Sequence, residues 1–169
     1  AIEDGYITDL DQSASDYITS WQGTAKSSIT IRHLMNVQSA LELIDGGVLY
    51  GSANQLQLSI DRNLIGTPGN KLYTYSNADV MLAGEVVRSA TQMDPDSYLD
   101  SKISSVIGFS GEWWKYSVSN IMTYCCIDST PKDFARFGLL FSRKGEWNGT
   151  QVLPESWVLQ STTKALSGE

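Results

Sequence analysis

The sequence predicts a mostly α fold with a few short strands, on three observations. Helix-start signals recur along the chain. The strongest is Thr130-Pro131-Lys132-Asp133, where threonine caps, proline takes the first helical position and aspartate sits three residues past the cap. Apolar residues return at helical spacing, as in Val80, Ala83, Gly84 and Val87. Strand signals are few, confined to residues 47–50, 72–75 and 121–127. A chain of 169 residues is long enough for one domain with its own core, and residues 1–169 read as a single domain.

In chain order, residues 12–20 (QSASDYITS) fit one helix. Thr30 caps a second through Ile31, Leu34 and Met35, and residues 54–62 form a third. A Pro-Gly turn at Pro68-Gly69 then leads through an aromatic run into Tyr75-Ser76-Asn77, after which a helix starts at once. Ser76 or Asn77 caps it, Asp79 suits its dipole, and Val80, Ala83, Gly84 and Val87 make its buried face. A helix from Asp94-Pro95-Asp96 carries Tyr98, Leu99 and Ile103 and ends at Gly108. After Thr130 the residues Phe134, Phe137, Gly138 and Phe141 share one face, and Gly145 closes the helix. Asn148-Gly149 is a tight-turn dipeptide, and Pro154 opens a last helix.

Composition narrows the function classes. The chain is 41% hydrophobic with 5 Trp, 8 Tyr and 4 Phe, which marks a globular protein. Its net charge is −7, and its 12 basic residues are scattered, which argues against nucleic acid and anionic membrane surfaces as partners. No apolar run approaches the roughly 20 residues of a membrane span. Ala1-Ile2-Glu3-Asp4 reads as the end of an element already under way. The two cysteines, Cys125 and Cys126, are adjacent. Strand neighbours point to opposite faces, so they read as buried small hydrophobes, not as a disulfide or a metal site. The compartment, periplasmic or cytoplasmic, stays open.

Tyr75 and Asn77 are the candidate chemistry. A phenol and a carboxamide fixed at one corner can relay a proton and hold a substrate amide; the plainer reading is a core tyrosine followed by a capping asparagine. Ser161-Thr162-Thr163-Lys164 matches S-x-x-K but has no apolar helix around it to desolvate the lysine, so it reads as a decoy. His33, the only histidine, sits mid-helix and reads as structural. The 19 carboxylates are spread out with no metal-binding loop, so neither a metal nor another cofactor is expected. Asn148-Gly149-Thr150 matches a glycosylation sequon but reads as a turn.

Three segments, in order, resemble the serine β-lactamase-like hydrolases: class C β-lactamases, D-alanyl-D-alanine carboxypeptidases, related esterases and 6-aminohexanoate-dimer hydrolases. They are Glu3-Asp4-Gly5 followed by SSITIRHLMNVQSAL, then PGNKLYTYSNADVMLAGEVVRSAT, and IDSTPKDFARFGLLFSRKGEWNGTQVLPESWV. The resemblance implies the helical lobe of a β-lactamase-like α/β (α+β) fold. It implies a serine hydrolase cutting a small-molecule amide, peptide, β-lactam or ester through an acyl-enzyme. Tyr75 takes the catalytic proton-relay place and Asn77 the substrate-binding place. The family's S-x-x-K and K-T-G-like segments have no counterpart in these residues, so the nucleophile and base are expected from elsewhere, and the partner is the missing α/β lobe of the same protein. Taken alone, the chain is expected to be inactive. The alternative is a non-catalytic module binding peptides or cell-wall fragments; a third reading, an unrelated tyrosine-centred enzyme, needs a lysine or arginine near Tyr75, and Lys71, four residues away in an extended segment, would lie about 13 Å distant. One departure stands out: where the family has Thr-Ser-Gly-Leu, this chain has Gln38-Ser39-Ala40-Leu41. Alanine resists the positive φ open to glycine, so the loop is expected to differ.

Overall fold

A computed structural model describes residues 1–70, 74–116 and 120–163. It divides into two compact units: residues 1–95 with 115–125, and residues 96–114 with 126–169.

The first unit is helical. Two 3₁₀ turns, Ala14–Asp16 and Thr19–Trp21, stand where one helix was expected over residues 12–20. The Ser13 side chain accepts from the Ser15 N–H, and the side-chain hydrogen bonds of serines and threonines compete with helix propagation here. Trp21, 1% exposed, donates its indole N–H to the Ile60 carbonyl, which anchors these turns to the core. Helix α1 (Ile31–Met35) starts in a capping box between Thr30 and His33, with histidine in the place glutamate usually holds. Residues 46–51 form helix α2 (Gly46–Gly51), which corrects the strand expected over 47–50. The reason is local: the Asp45 side chain accepts from the N–H groups of Gly47 and Val48, capping a helix despite the β-branched valine. Helix α3 (Gln55–Asp61), capped by Asn54, falls where expected.

Helix α4 (Asn77–Thr91) is the spine of this unit. Its buried apolar residues are Ala78, Met81, Leu82 and Val86, with Asp79 and Thr91 buried beside them, so the deeply buried face is turned from the one expected; Val80, Ala83, Gly84 and Val87 are half-buried. Leu82 and Val86 join a core cluster with Ala14, Trp21, Ile29, Ile31 and Leu34. The half-buried side is occupied by the segment after residue 115: a Cβ on Gly84 would stand 2.4 Å from the Thr123 hydroxyl oxygen. The helix is covered on two sides, and a single-stripe reading sees only one of them.

The second unit begins within helix α5 (Pro95–Leu99), whose first residue belongs to the first unit, and holds a π-helical turn (Asp100–Ser104) and helix α6 (Ser105–Ile107), ended by left-handed Gly108. Strand β1 (Gly111–Trp113) pairs antiparallel with β2 (Ile127–Ser129). The strand expected over 121–127 is thus mostly a turn. Ile121 makes an isolated bridge with Lys115, and Ile127 alone enters β2. The strand expected over 72–75 lies partly outside the described residues. Helix α7 (Pro131–Ser142) begins at Thr130 as expected. Its buried residues are Asp133 and Leu140, while Phe134 is 48% and Phe137 36% exposed. Phe109 meets both rings edge-on or tilted. Strands β3 (Glu146–Trp147) and β4 (Thr150–Gln151) close a hairpin in which Asn148 and Gly149 both take positive φ. Helix α8 (Glu155–Thr162) follows Pro154.

The cysteines correct an expectation. Both are disulfide-bonded, and they are the chain's only cysteines, so Cys125 and Cys126 are bonded to each other. They sit in a turn, not a strand, and Cys126 takes φ +77°, so the alternation that separates strand neighbours does not apply. Denaturing, non-reducing thiol titration is expected to find no free thiol, and two after reduction. Two thiols before reduction would show the pair to be open.

Candidate active site

The Tyr75-Ser76-Asn77 corner is built by opposed exposures. Ser76 is extended (φ −148°, ψ 103°) and caps α4, its hydroxyl accepting from the Asp79 N–H at 3.2 Å. In extended backbone, neighbours point to opposite sides. Ser76 is accordingly 8% exposed, whereas Tyr75 is 69% exposed. Asn77 is the first residue of α4 and half-buried, at the end where the helix dipole and free N–H groups favour negative charge. Tyr75 and Asn77 therefore flank the capping serine at a 15-residue helix's positive end. The plainer reading, a core tyrosine, does not describe Tyr75.

Beneath the corner lies an ion pair that sequence spacing did not reveal. Arg62 Nη2 donates to Asp79 Oδ1 at 2.7 Å, with side chains 3% and 2% exposed. Arg62 follows the last turn of α3, and Asp79 is 17 residues further on, so only the tertiary fold brings them together. Asp79 is thus more than the dipole partner expected of it. Burial works against the Arg62 cation and Asp79 works for it, and a guanidinium stays protonated throughout the working pH range.

The approach to the corner is pinned as well. Gly69 (φ +80°) donates its N–H to the Gln38 carbonyl at 2.9 Å, and a Cβ there would lie 2.8 Å from His33 Nε2. Only glycine satisfies both the backbone shape and the close approach. The neighbouring loop overrides local preference: Val37 and Ala40 take φ of +50° and +58°. Ala40 thus takes the left-handed backbone that alanine resists. The Ile65 N–H donates to the Ala40 carbonyl and the Glu42 N–H to the Asn63 carbonyl, and these bonds hold the left-handed backbone in place.

His33 is structural, as the sequence suggests. Its Nδ1 accepts from the Thr30 N–H at 3.1 Å. Burial pushes its pKa down, with Asp11 opposing and Arg32 assisting. A histidine with a lowered pKa favours the fold when neutral. Stability is complete above the ordinary imidazole value of about 6.5 and falls as pH drops from there through the lower folded value. Thermal unfolding between pH 7.5 and 5 is expected to show this loss, and His33→Gln is expected to flatten it; an unchanged pH slope in that variant would assign the effect elsewhere.

Other candidates separate from the corner. Burial pushes the Tyr124 phenol up to about 12, and it donates to Gln55 Oε1 at 2.8 Å, which leaves it a donor. Ser161 Oγ donates to the Val158 carbonyl, and Lys164 and Lys71 lie outside the described residues. Among the described residues no three His, Cys, Asp or Glu side chains are grouped to hold a metal ion, and no helix is long and apolar enough to cross a membrane.

The fold and the corner together define a class, the helical lobe of the serine β-lactamase-like fold, with its Tyr-x-Asn motif at a helix start. The chain belongs to the Beta-lactamase family, whose model matches residues 2–168. Its fold is similar to that of a Bacillus anthracis protein assigned as a 6-aminohexanoate-dimer hydrolase, with a TM-score of 0.82, 23% identity, and coverage of 94% of this chain and 47% of that one. It is also similar to the octameric penicillin-binding protein homologue of Pyrococcus abyssi, with a TM-score of 0.75, 14% identity, and coverage of 96% and 44%. A penicillin binding protein from Bacillus halodurans matches with a TM-score of 0.72, 16% identity, and coverage of 99% and 61%. The chain thus spans from under half to about three-fifths of the length of these proteins. No curated protein sequence matches it.

Proposed function

We propose that these 169 residues supply the proton-relay tyrosine and the substrate-binding asparagine of a serine hydrolase that cuts an amide, peptide, β-lactam or ester. The observation that carries this reading is the exposure of Tyr75 just ahead of α4, whose first residue is the half-buried Asn77, in a chain matched by the family over nearly its whole length. A serine hydroxyl from the rest of the protein attacks the carbonyl. Its proton passes through a lysine and Tyr75 to the leaving nitrogen or oxygen, and Asn77 holds the substrate's amide. Backbone N–H groups hold the oxyanion, and water then releases the acyl group. The reaction as proposed uses no metal or organic cofactor. On this reading residues 1–169 act as a single helical lobe, and the lobe's partner is the α/β part of the same protein.

Intact-mass spectrometry of the full-length protein after incubation with a β-lactam and with a fluorophosphonate tests the proposal. One covalent adduct, on a serine within an S-x-x-K motif, is expected, and the isolated 169-residue chain is expected to form none. Binding without any adduct or turnover would instead favour a non-catalytic binding module.

A further inference from the structure

Arg62 does more than satisfy Asp79. Its guanidinium touches three separate stretches of chain. Nε donates to the Ser59 carbonyl at 3.0 Å, in helix α3, which Arg62 directly follows. Nη1 donates to the Glu42 carbonyl at 3.1 Å, in the loop that follows the left-handed residues Val37 and Ala40. Nη2 binds Asp79 in the first turn of α4, and Nη1 also reaches Ser76 Oγ at 3.4 Å. Ser76 is the residue between Tyr75 and Asn77. Its hydroxyl donates to Asp79 Oδ1 at 3.2 Å and accepts from the Asp79 N–H and from Arg62. A hydroxyl offers one donor and two acceptor sites, so Ser76 is saturated and has one orientation left.

We propose that Arg62 is the positioning residue of the corner, fixing through Ser76 and Asp79 where Tyr75 and Asn77 stand. This rests on the functional reading above. The physical case is one of specificity. A buried ion pair adds little to stability over apolar residues of similar volume, but its fork geometry allows one arrangement. An ordinary cap needs only Ser76 and the Asp79 N–H. The arginine adds a rigid link from that cap to the loop at Glu42 and to the end of α3, so the corner cannot turn independently of the loop beside it. In acyl transfer, a misplacement of about 1 Å can cost a hundredfold in rate.

The test uses the full-length enzyme and the ester p-nitrophenyl acetate, with kcat expressed per active site titrated by the acylation burst, so unfolded protein does not count. The double variant Arg62→Met/Asp79→Leu removes the pair without stranding a charge. Its melting temperature is expected to stay near the parent's while kcat per site falls about ten- to a hundredfold and the pH–rate profile shifts. A merely structural pair would change the melting temperature and the number of titrated sites, and leave kcat per site and the pH profile in place; that result overturns the proposal. If the double variant does not fold, Ser76→Ala decides. It cuts the link to the corner for the modest cost of a cap, and it is expected to lose at least tenfold in kcat per site; no loss overturns the proposal. Tyr75→Phe runs alongside. If it keeps full turnover, the reading of the corner itself fails and the positioning role falls with it. If it loses turnover while the other variants keep theirs, only the positioning role fails.

Discussion

Tyr75→Phe in the full-length enzyme is expected to lower kcat about a hundred- to ten-thousandfold, the range a positioned proton-transfer group contributes. The change removes one oxygen from a side chain that is 69% exposed, and surface substitutions of that kind move stability by no more than about 0.5 kcal/mol. The folded protein should therefore melt as the parent does, still bind substrate through Asn77, and turn over slowly. A fall in both kcat and melting temperature would mean that the hydroxyl holds the fold together. Unchanged turnover would move the proton relay to another residue. Because the phenol stands clear of the core, activity and stability separate unusually well at this position.

The second large effect is on stability. Arg62→Ala leaves the Asp79 carboxylate buried and unpaired, and losing one partner of a buried ion pair costs about 3–5 kcal/mol. Asp79→Ala is expected to cost as much from the other side, since it strands a guanidinium whose side chain is 3% exposed. The two losses should not add. The double apolar replacement is expected to fall well short of their sum, because nothing charged is left behind. Urea midpoints of the two single variants and the double variant measure this directly, and strictly additive losses would mean that the side chains act independently.

What the sequence revealed follows from the range of each signal. The caps at Thr30 and Thr130, the terminal Gly108 and the Asn148-Gly149 turn are written within a few residues, each stands where it was expected, and of the two caps offered for α4 Ser76 is the one used. The Tyr75-Ser76-Asn77 corner is written as locally, and the exposure of Tyr75 follows from extended backbone entering a capped helix. Misreadings came where a local rule met a non-local neighbour. The face of α4 was misjudged because a second segment covers its other side at Gly84. Ala40 takes a left-handed shape because backbone bonds to residues some 25 positions away hold it. Arg62 carried no signal at all, since its partner is fixed only once α3 has packed on α4. Residues 47–50 are a different case: their β-forming side chains outweighed, on paper, an aspartate cap that was in plain view.

Val37 and Ala40 also bear on how this chain can be improved. Left-handed backbone costs an L-residue with a side chain roughly 1–2 kcal/mol, and glycine almost nothing. Ala40→Gly, the residue the resembled family carries at this place, is therefore expected to recover part of that strain, less the larger folding entropy of glycine. A laboratory seeking a sturdier scaffold on which to vary substrate preference would begin there, gaining tolerance for the destabilising changes that new specificities bring.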